Sequence, residues 1–355
     1  MAFSFGKSKS IVGLDIGSSS VKIVELVKRN KGIELQHVGV AALPPEAIVQ
    51  GAFLNSGAIV DAIQQAVDES GIKNKNVAAA VSGHSVIVKK ISLPAMTRDE
   101  LEESIRWEAE QYIPFDINEV NLDFQILETG DAEGQMDVLL VAAKKDLIDD
   151  YVQVISEAGL TASVIDVAAF AVENAYEANY EVNPDEVVAL VNIGAQVVNI
   201  NILSQGIPAF TRDVSTGGNA YTEEIQKALS VSWEEAERLK IGGNPGEESQ
   251  EVVPQEVEKA MRSISETVLG EINRSLDFFS ATAAEARIGK VLLSGGGARV
   301  SGLDAAFQGK TNLPVEMLNP LARVVPSGRF DQSFLDEVGP SLAVSVGLAM
   351  RRMDD

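Results

Sequence analysis

Gly17, Ser18, Ser19 and Ser20 stand between two largely apolar runs, Ile11–Ile16 and Val21–Val24, which carry Asp15 and Lys22 near their facing ends. These residue types suit a phosphate. Gly17 lets the backbone approach a ligand with no Cβ in the way. The amides and hydroxyls of the three serines can line an anion nest. Asp15 can hold Mg²⁺ through water, and Lys22 can reach a phosphate as a point charge. Taken alone, the stretch reads equally well as a polar β-hairpin turn. It is repeated, however. Val188–Ile202 has the same design, and with Asp15 laid on Asn192, Gly17 falls on Gly194, Val21 on Val198 and Ile23 on Ile200. A third turn, Ser294-Gly295-Gly296-Gly297-Ala298-Arg299, follows the apolar run Val291–Leu293 and offers the close backbone approach that a nucleotide requires.

Two copies of one hairpin indicate a duplicated domain. With the late Gly-Gly-Gly turn they resemble the actin/Hsp70/hexokinase nucleotide-binding fold, an α/β class. Ser215-Thr216-Gly217-Gly218 reads as another phosphate- or ribose-facing turn opening a helix, or as an ordinary cap.

The chain has 355 residues, 45% of them hydrophobic, and carries a net charge of −23. That charge argues against general nucleic-acid binding and against docking on an anionic membrane through a basic face. There are no cysteines, so disulfides and thiolate metal sites are excluded. His37 and His84 are the only histidines, too few for a His-rich metal site. No apolar run reaches the roughly eighteen residues of a membrane span. Residues Met1–Ser10 lack the apolar core of a signal peptide and read as a loose arm. The expected location is cytoplasmic.

The elements that must position these turns follow from periodicity. Ile33–Leu43 and Val77–Ser82 read as strands, with a helix over Ser56–Ser70 between them that stops at Gly71. From residue 84 to 165 the order strand, helix, strand, strand, helix, strand suggests a small inserted α/β subdomain. Its first helix starts at the capping box Thr97–Glu100 and runs to Tyr112; a turn spans Gly130–Gly134. Asp166 is expected to open the next helix. Ser232 is expected to cap a helix holding Glu237 and Lys240, before an acidic loop, Gly242–Ser249. Val257, Met261, Ile264, Val268, Ile272, Leu276 and Phe279 mark a long amphipathic helix whose stripe is core. Ser341–Met350 reads as a small-residue helix packing back on the first half. The expected division is 1–83 with 166–184 and 335–355, an insertion 84–165, a second half 185–220 with 287–334, and a helical unit 221–286.

The stretch Glu102–Phe115, with Trp107, Tyr112 and Pro114, followed by Glu119-Val120-Asn121-Leu122-Asp123, resembles the PilM family of type IV pilus assembly. That family is related to the cell-division protein FtsA. The resemblance implies an FtsA-like fold that binds ATP and Mg²⁺. It makes Asp15, Gly17, Ser18, Ser19, Ser20 and Lys22 the first phosphate loop, and Asn192, Gly194, Ala195 and Gln196 the second. Gly217 and Gly218 would touch phosphates or ribose. Glu237 and Lys240 would flank ribose and adenine, although without the resemblance they read as a solvated ion pair. Gly295, Gly296, Gly297 and Arg299 would form the adenosine turn. One departure stands out. Related ATPases place a carboxylate in the second turn, whereas here Asn192 and Ala195 supply none, and Gln196 alone could orient a water. Hydrolysis should be slow.

The resemblance also implies a partner. It is the N-terminal tail of the inner-membrane protein PilN, leading indirectly to PilO and the pilus motor, so the chain would sit peripheral to the inner membrane. Trp107, Tyr112 and Phe115 are candidate partner residues, with core aromatics as the alternative. Two rival readings are a sugar kinase with Asp166 as base and an FtsA-like filament former. Against the latter, Leu348–Asp355 reads as too short and acidic for a membrane anchor.

Overall fold

The computed structural model describes residues 10–30, 32–127, 134–242, 255–283 and 286–351. The apolar run before Asp15 forms β1 (Val12–Ile16), which turns at Gly17 into β2 (Ser20–Arg29) and on into β3 (Gly32–Ala42), all antiparallel. A short hairpin follows, β4 (Ile48–Val49) with β5 (Ala52–Phe53). The expected helix is α1 (Ser56–Ser70), capped by Asn55, burying Ile59, Ile63 and Val67, and stopped at Gly71 with φ 72°. β6 (Asn76–Val81) then runs parallel beside β1.

The chain next leaves this sheet. β7 (Val86–Pro94), α2 (Arg98–Ala109), β8 (Val120–Leu127) and β9 (Gln135–Lys144) form a three-stranded sheet, order β7-β9-β8. Leu101 and Ile105 of α2 pack on Ile91, Val138 and Leu140 of that sheet. The capping box at Thr97 and Glu100 is present. α2 ends at Ala109, short of Tyr112, because the following amides fold back on Ala109.

Residues 145–165 do not belong to the insertion as expected. α3 (Lys145–Glu157) buries Tyr151, Val154 and Ile155 in the core shared by β1, β2 and α1, and β10 (Thr161–Val167) pairs parallel with β6. The inserted unit therefore closes at Lys144. α4 (Ala168–Asn179) begins two residues after Asp166, which lies in β10.

The second lobe repeats the first. β11 (Val187–Ile193), β12 (Val198–Ser204) and β13 (Ile207–Val214) form an antiparallel meander. α5 (Gly218–Leu229), α6 (Trp233–Lys240) and α7 (Gln255–Thr282) follow, then β14 (Ile288–Ser294), α8 (Leu303–Thr311) and β15 (Val315–Met317). The α7 stripe is core, and it divides. Val257 and Ala260 pack with α5 and α6, whereas Val268, Ile272, Leu276 and Phe279 cover the second sheet. Residues 221–286 are therefore not a separate helical unit. The return to the first lobe also comes earlier than residue 335, since β16 (Val324–Pro326) pairs parallel with β3. α9 (Gln332–Val338) and α10 (Ala343–Ala349) complete it.

The sheet orders are β10-β6-β1-β2-β3-β16 and β13-β12-β11-β14-β15, the same meander with the same parallel neighbour. The lobes meet through a core joining α4 and α10 to Val188, Leu190 and Leu292. α10 lies in contact with backbone on both sides: a Cβ on Gly13 would sit 1.9 Å from Ser345 O, and one on Gly347 1.6 Å from Ala171 O. The expected arm up to Lys9, residues 130–133 of the expected turn, the loop after Gly242 and the last four residues lie outside the described residues. Among the described residues no helix is long and apolar enough to cross a membrane.

Candidate nucleotide site and the bonds between the lobes

The two turns share one backbone. Gly17 N donates to Ser20 O at 3.1 Å, and Gly194 N to Val197 O at 2.9 Å. Asp15 is registered with Lys22 as Asn192 is with Asn199.

Their side chains differ. In the first turn Lys22 Nζ lies 3.1 Å from Asp15 Oδ2 and 3.4 Å from Ser20 O, with both side chains largely buried. Burial, and next the charge of Asp15, push the Tyr151 hydroxyl well above the usual phenol range, so it stays a neutral neighbour. In the second turn Asn192 Nδ2 donates to Asn199 Oδ1 at 2.9 Å, and Ser294 Oγ donates to Asn192 Oδ1 at 3.2 Å. Among the described residues no group of three or more His, Asp or Glu is placed to hold a metal ion.

The structure assembles the remaining candidates around the second turn. Gly218 N and Asn219 N donate to Gly194 O and Ala195 O at 2.9 and 2.8 Å, so the start of α5 is docked on that turn. A Cβ on Gly217 would lie 2.4 Å from Gly194 O. Gly217 and Gly218 thus serve this packing, and the Gly218 amide is already bonded. Gly295, at φ 88°, and Gly297 press on Ile193 in the same way, while a Cβ on Gly296 would meet open space. Gly296 and Arg299 are exposed.

Glu237 and Lys240 are not a solvated pair. Lys240 Nζ bonds Glu237 Oε2 at 2.7 Å, Thr222 Oγ1 at 3.0 Å and Gly218 O at 3.3 Å, pinning α6 to the first turn of α5.

Gln196 does not stand ready to orient a water. Its Nε2 donates to Ile48 O at 2.8 Å and its Oε1 accepts from Gln50 N at 3.0 Å, so both ends of the amide clasp the β4–β5 hairpin of the other lobe. Asp166 is occupied as well: Arg351 Nε donates to Oδ2 at 2.7 Å and Val167 N to Oδ1 at 2.8 Å.

The aromatic trio separates. Trp107 is 74% exposed and so is not a core aromatic, Tyr112 is 39% exposed, and Phe115 packs in the inserted core beneath the Lys144 ammonium at 4.6 Å.

Several polar residues escaped the sequence reading. Asp213 accepts from Asn199 Nδ2 at 2.8 Å and from Gly83 N at 2.5 Å, and burial raises its carboxyl above the usual range. Glu173 accepts from Asn201 Nδ2 at 2.7 Å, and burial pushes it up to about 8. The signal was present, since Asn199 and Asn201 alternate in an otherwise apolar strand and an amide buried there must find a partner.

A family profile described as Type IV pilus assembly protein PilM matches residues 13–353. The chain belongs to the PilM family. A solved PilM-PilN type IV pilus biogenesis complex contains a similar chain, 29% identical with a TM-score of 0.86, covering 97% of this chain and 99% of that one. Among curated proteins, the cell division protein FtsA of Borreliella burgdorferi is 21% identical over 96% of this chain and 90% of its own length. FtsA of Bacillus subtilis is 24% identical over 64% of this chain, which spans only 57% of that relative. The ethanolamine utilization protein EutJ of Carboxydothermus hydrogenoformans shares the fold alone, with 14% identity, a TM-score of 0.57, and 97% and 90% coverage. The PilM fold here is the duplicated, actin-like one expected from the paired turns.

Proposed function

We propose that this PilM-family chain is an ATP-binding scaffold of type IV pilus assembly that holds Mg²⁺–ATP without appreciable hydrolysis. Lys22 and the amides and hydroxyls of Ser18–Ser20 would take the phosphates, Asp15 would reach the cation through water, and the exposed Gly296 and Arg299 would take the adenosine end. The donor set fits this ligand: a buried ammonium and carboxylate at one turn, glycines at the others. The cation brings charge neutralisation to the phosphates when bound.

The observation that carries the reading is the state of the second turn. It has no carboxylate, and its one polar amide beyond Asn192 is bonded to the other lobe on both ends. No described side chain there is free to activate water, so the nucleotide acts as a conformational ligand. Asp166, the only kinase-type base suggested by sequence, is held by Arg351, which removes support for a sugar kinase.

The similar chain in the PilM-PilN complex supports a PilN-type partner. On this proposal the N-terminal tail of PilN is what is recruited, PilO and the motor are reached through it, and the chain is peripheral to the inner membrane. The exposed Trp107 and Tyr112 on the inserted subdomain remain the aromatic candidates for partner contact. Titration with a fluorescent ATP analogue, with ADP release followed in the same tube, tests the nucleotide half. Binding with negligible release is expected; brisk release by the protein alone overturns it.

A further inference from the structure

Gly83 is where the chain leaves the first sheet for the inserted one: β6 ends at Val81 and β7 starts at Val86. The residue is held on both sides. Its N–H donates to Asp213 Oδ2 at 2.5 Å, and its carbonyl accepts from Val86 N at 3.0 Å. Its φ of +92° is one that a residue with a Cβ adopts only under strain. The hinge is thus fixed by a side chain of the other lobe.

That side chain ends a longer series. Ser294 Oγ donates to Asn192 Oδ1 at 3.2 Å and Asn192 Nδ2 to Asn199 Oδ1 at 2.9 Å. Asn199 Nδ2 donates to Asp213 Oδ1 at 2.8 Å, and Gly83 N closes the series on Oδ2. Asn192 opens the second turn, and Ser294 immediately precedes the glycine turn. Two of the candidate nucleotide segments are therefore joined by consecutive hydrogen bonds to the hinge of the inserted subdomain.

The series has a direction. Both oxygens of Asp213 accept here, so Asn199 gives it Nδ2 and presents Oδ1 to Asn192, which in turn gives Nδ2 and offers Oδ1 to Ser294. Turning any one amide over places two acceptors or two donors face to face, and the penalty for such a buried mismatch is passed to the next pair.

We infer that this series transmits the state of the nucleotide site to the inserted subdomain, with Asp213 as the positioning residue and Gly83 as the hinge. The inference rests on the nucleotide reading above. A phosphate drawn onto the Gly194–Gln196 turn shifts Asn192; Asn199 and Asp213 follow, and the Gly83 amide moves with them. The first strand of the inserted sheet starts three residues farther on. The Gln196 clasp runs elsewhere, into the β4–β5 hairpin, so the clasp and the Asp213–Gly83 bond separate a local closure from a signal to the insertion.

Amide hydrogen exchange of the full chain with and without saturating Mg²⁺–ATP tests this. Wild type should show slowed exchange at 15–22 and 192–198, and a change of about fivefold over 83–94, the lower end of typical coupling between sites. Asp213→Ala should keep the slowing at the turns and lose the change over 83–94. Should the alanine variant unfold, Asp213→Asn serves, since its amide nitrogen must face either Asn199 Nδ2 or the Gly83 N–H, donor against donor, and break the series. Slowing at the turns with no change over 83–94 in wild type overturns the inference alone, as does an unaltered change in a folded Asp213 variant. No slowing at the turns overturns the nucleotide reading and this inference with it.

Discussion

The two hairpin turns have the same backbone and opposite chemistry. At the first, the registered pair is Asp15 and Lys22, a near-buried ion pair whose partners can both be redirected to a charged ligand. At the second, the registered pair is Asn192 and Asn199, and every polar side chain around it is bonded to protein: Gln196 to the β4–β5 hairpin, Asn199 to Asp213, Asn201 to Glu173. One copy carries an ion pair that suits a charged ligand, and in the other the matching asparagines are tied into the series that runs to Asp213 and Gly83. One scaffold can host either, because the turn is fixed by backbone and glycine, leaving the side chains free to differ.

Four measurements break or sharpen this contrast. The largest effect concerns Glu173, a joint on the second-copy side. Its carboxyl titrates near 4.5 in the unfolded chain and near 8 when folded, so between those pH values the native state holds an extra proton. Stability therefore falls as pH rises through that window, by on the order of 5 kcal/mol in total. Urea midpoints at pH 5 and pH 8 should show the loss, and Glu173→Gln should flatten it; equal slopes in both proteins would remove Glu173 from the account.

Next is Lys22→Ala, which takes the only cation from the first turn and strands Asp15. Mg²⁺–ATP affinity should fall by about 30-fold, corresponding to roughly 2 kcal/mol for a partly buried charge pair. A variant that binds as wild type does would remove Lys22 from the ligand site.

Asn192→Asp makes the second turn chemically like the first. If the absent carboxylate limits turnover, ADP release should rise by about tenfold, less than the roughly hundredfold or more that a well-placed acid or base contributes. Unchanged release points instead to the bonded Gln196 as the block.

The smallest effect belongs to Gln196→Ala. Removing two hydrogen bonds across the lobes at a half-exposed site should lower stability by about 1 kcal/mol in a denaturant titration. No change would show that the clasp merely decorates a surface.

Much of this was legible in sequence where the cause is local. The turns declare themselves through glycine, serine and aspartate, and α1 begins and ends where Asn55 and Gly71 dictate. The capping box of α2 was equally readable. What was hidden depends on residues far apart in the chain. α3 carries an ordinary amphipathic stripe, and nothing in it says whether Tyr151 and Ile155 will face the inserted sheet or the first one; the parallel pairing of β10 with β6 decides that. Gln196 looked like a catalytic amide because its two partners lie 146 and 148 residues away. Asp213 sits in a short edge strand with no local pattern to mark it, and only the alternating asparagines of β12 hinted that acceptors were near.

The tight seat of α10 has a consequence for how the molecule is made. The second lobe is contiguous, from Val187 to Met317, and can assemble as soon as that stretch leaves the ribosome. The first lobe cannot. Gly13 and Ala171 await Ser345 and Gly347 with no room for any side chain between them, and β3 awaits β16. The lobe synthesised first is therefore the lobe finished last, and a chain interrupted before Ala343 would carry a complete second half beside a first half whose central strand has lost the cover α10 gives it.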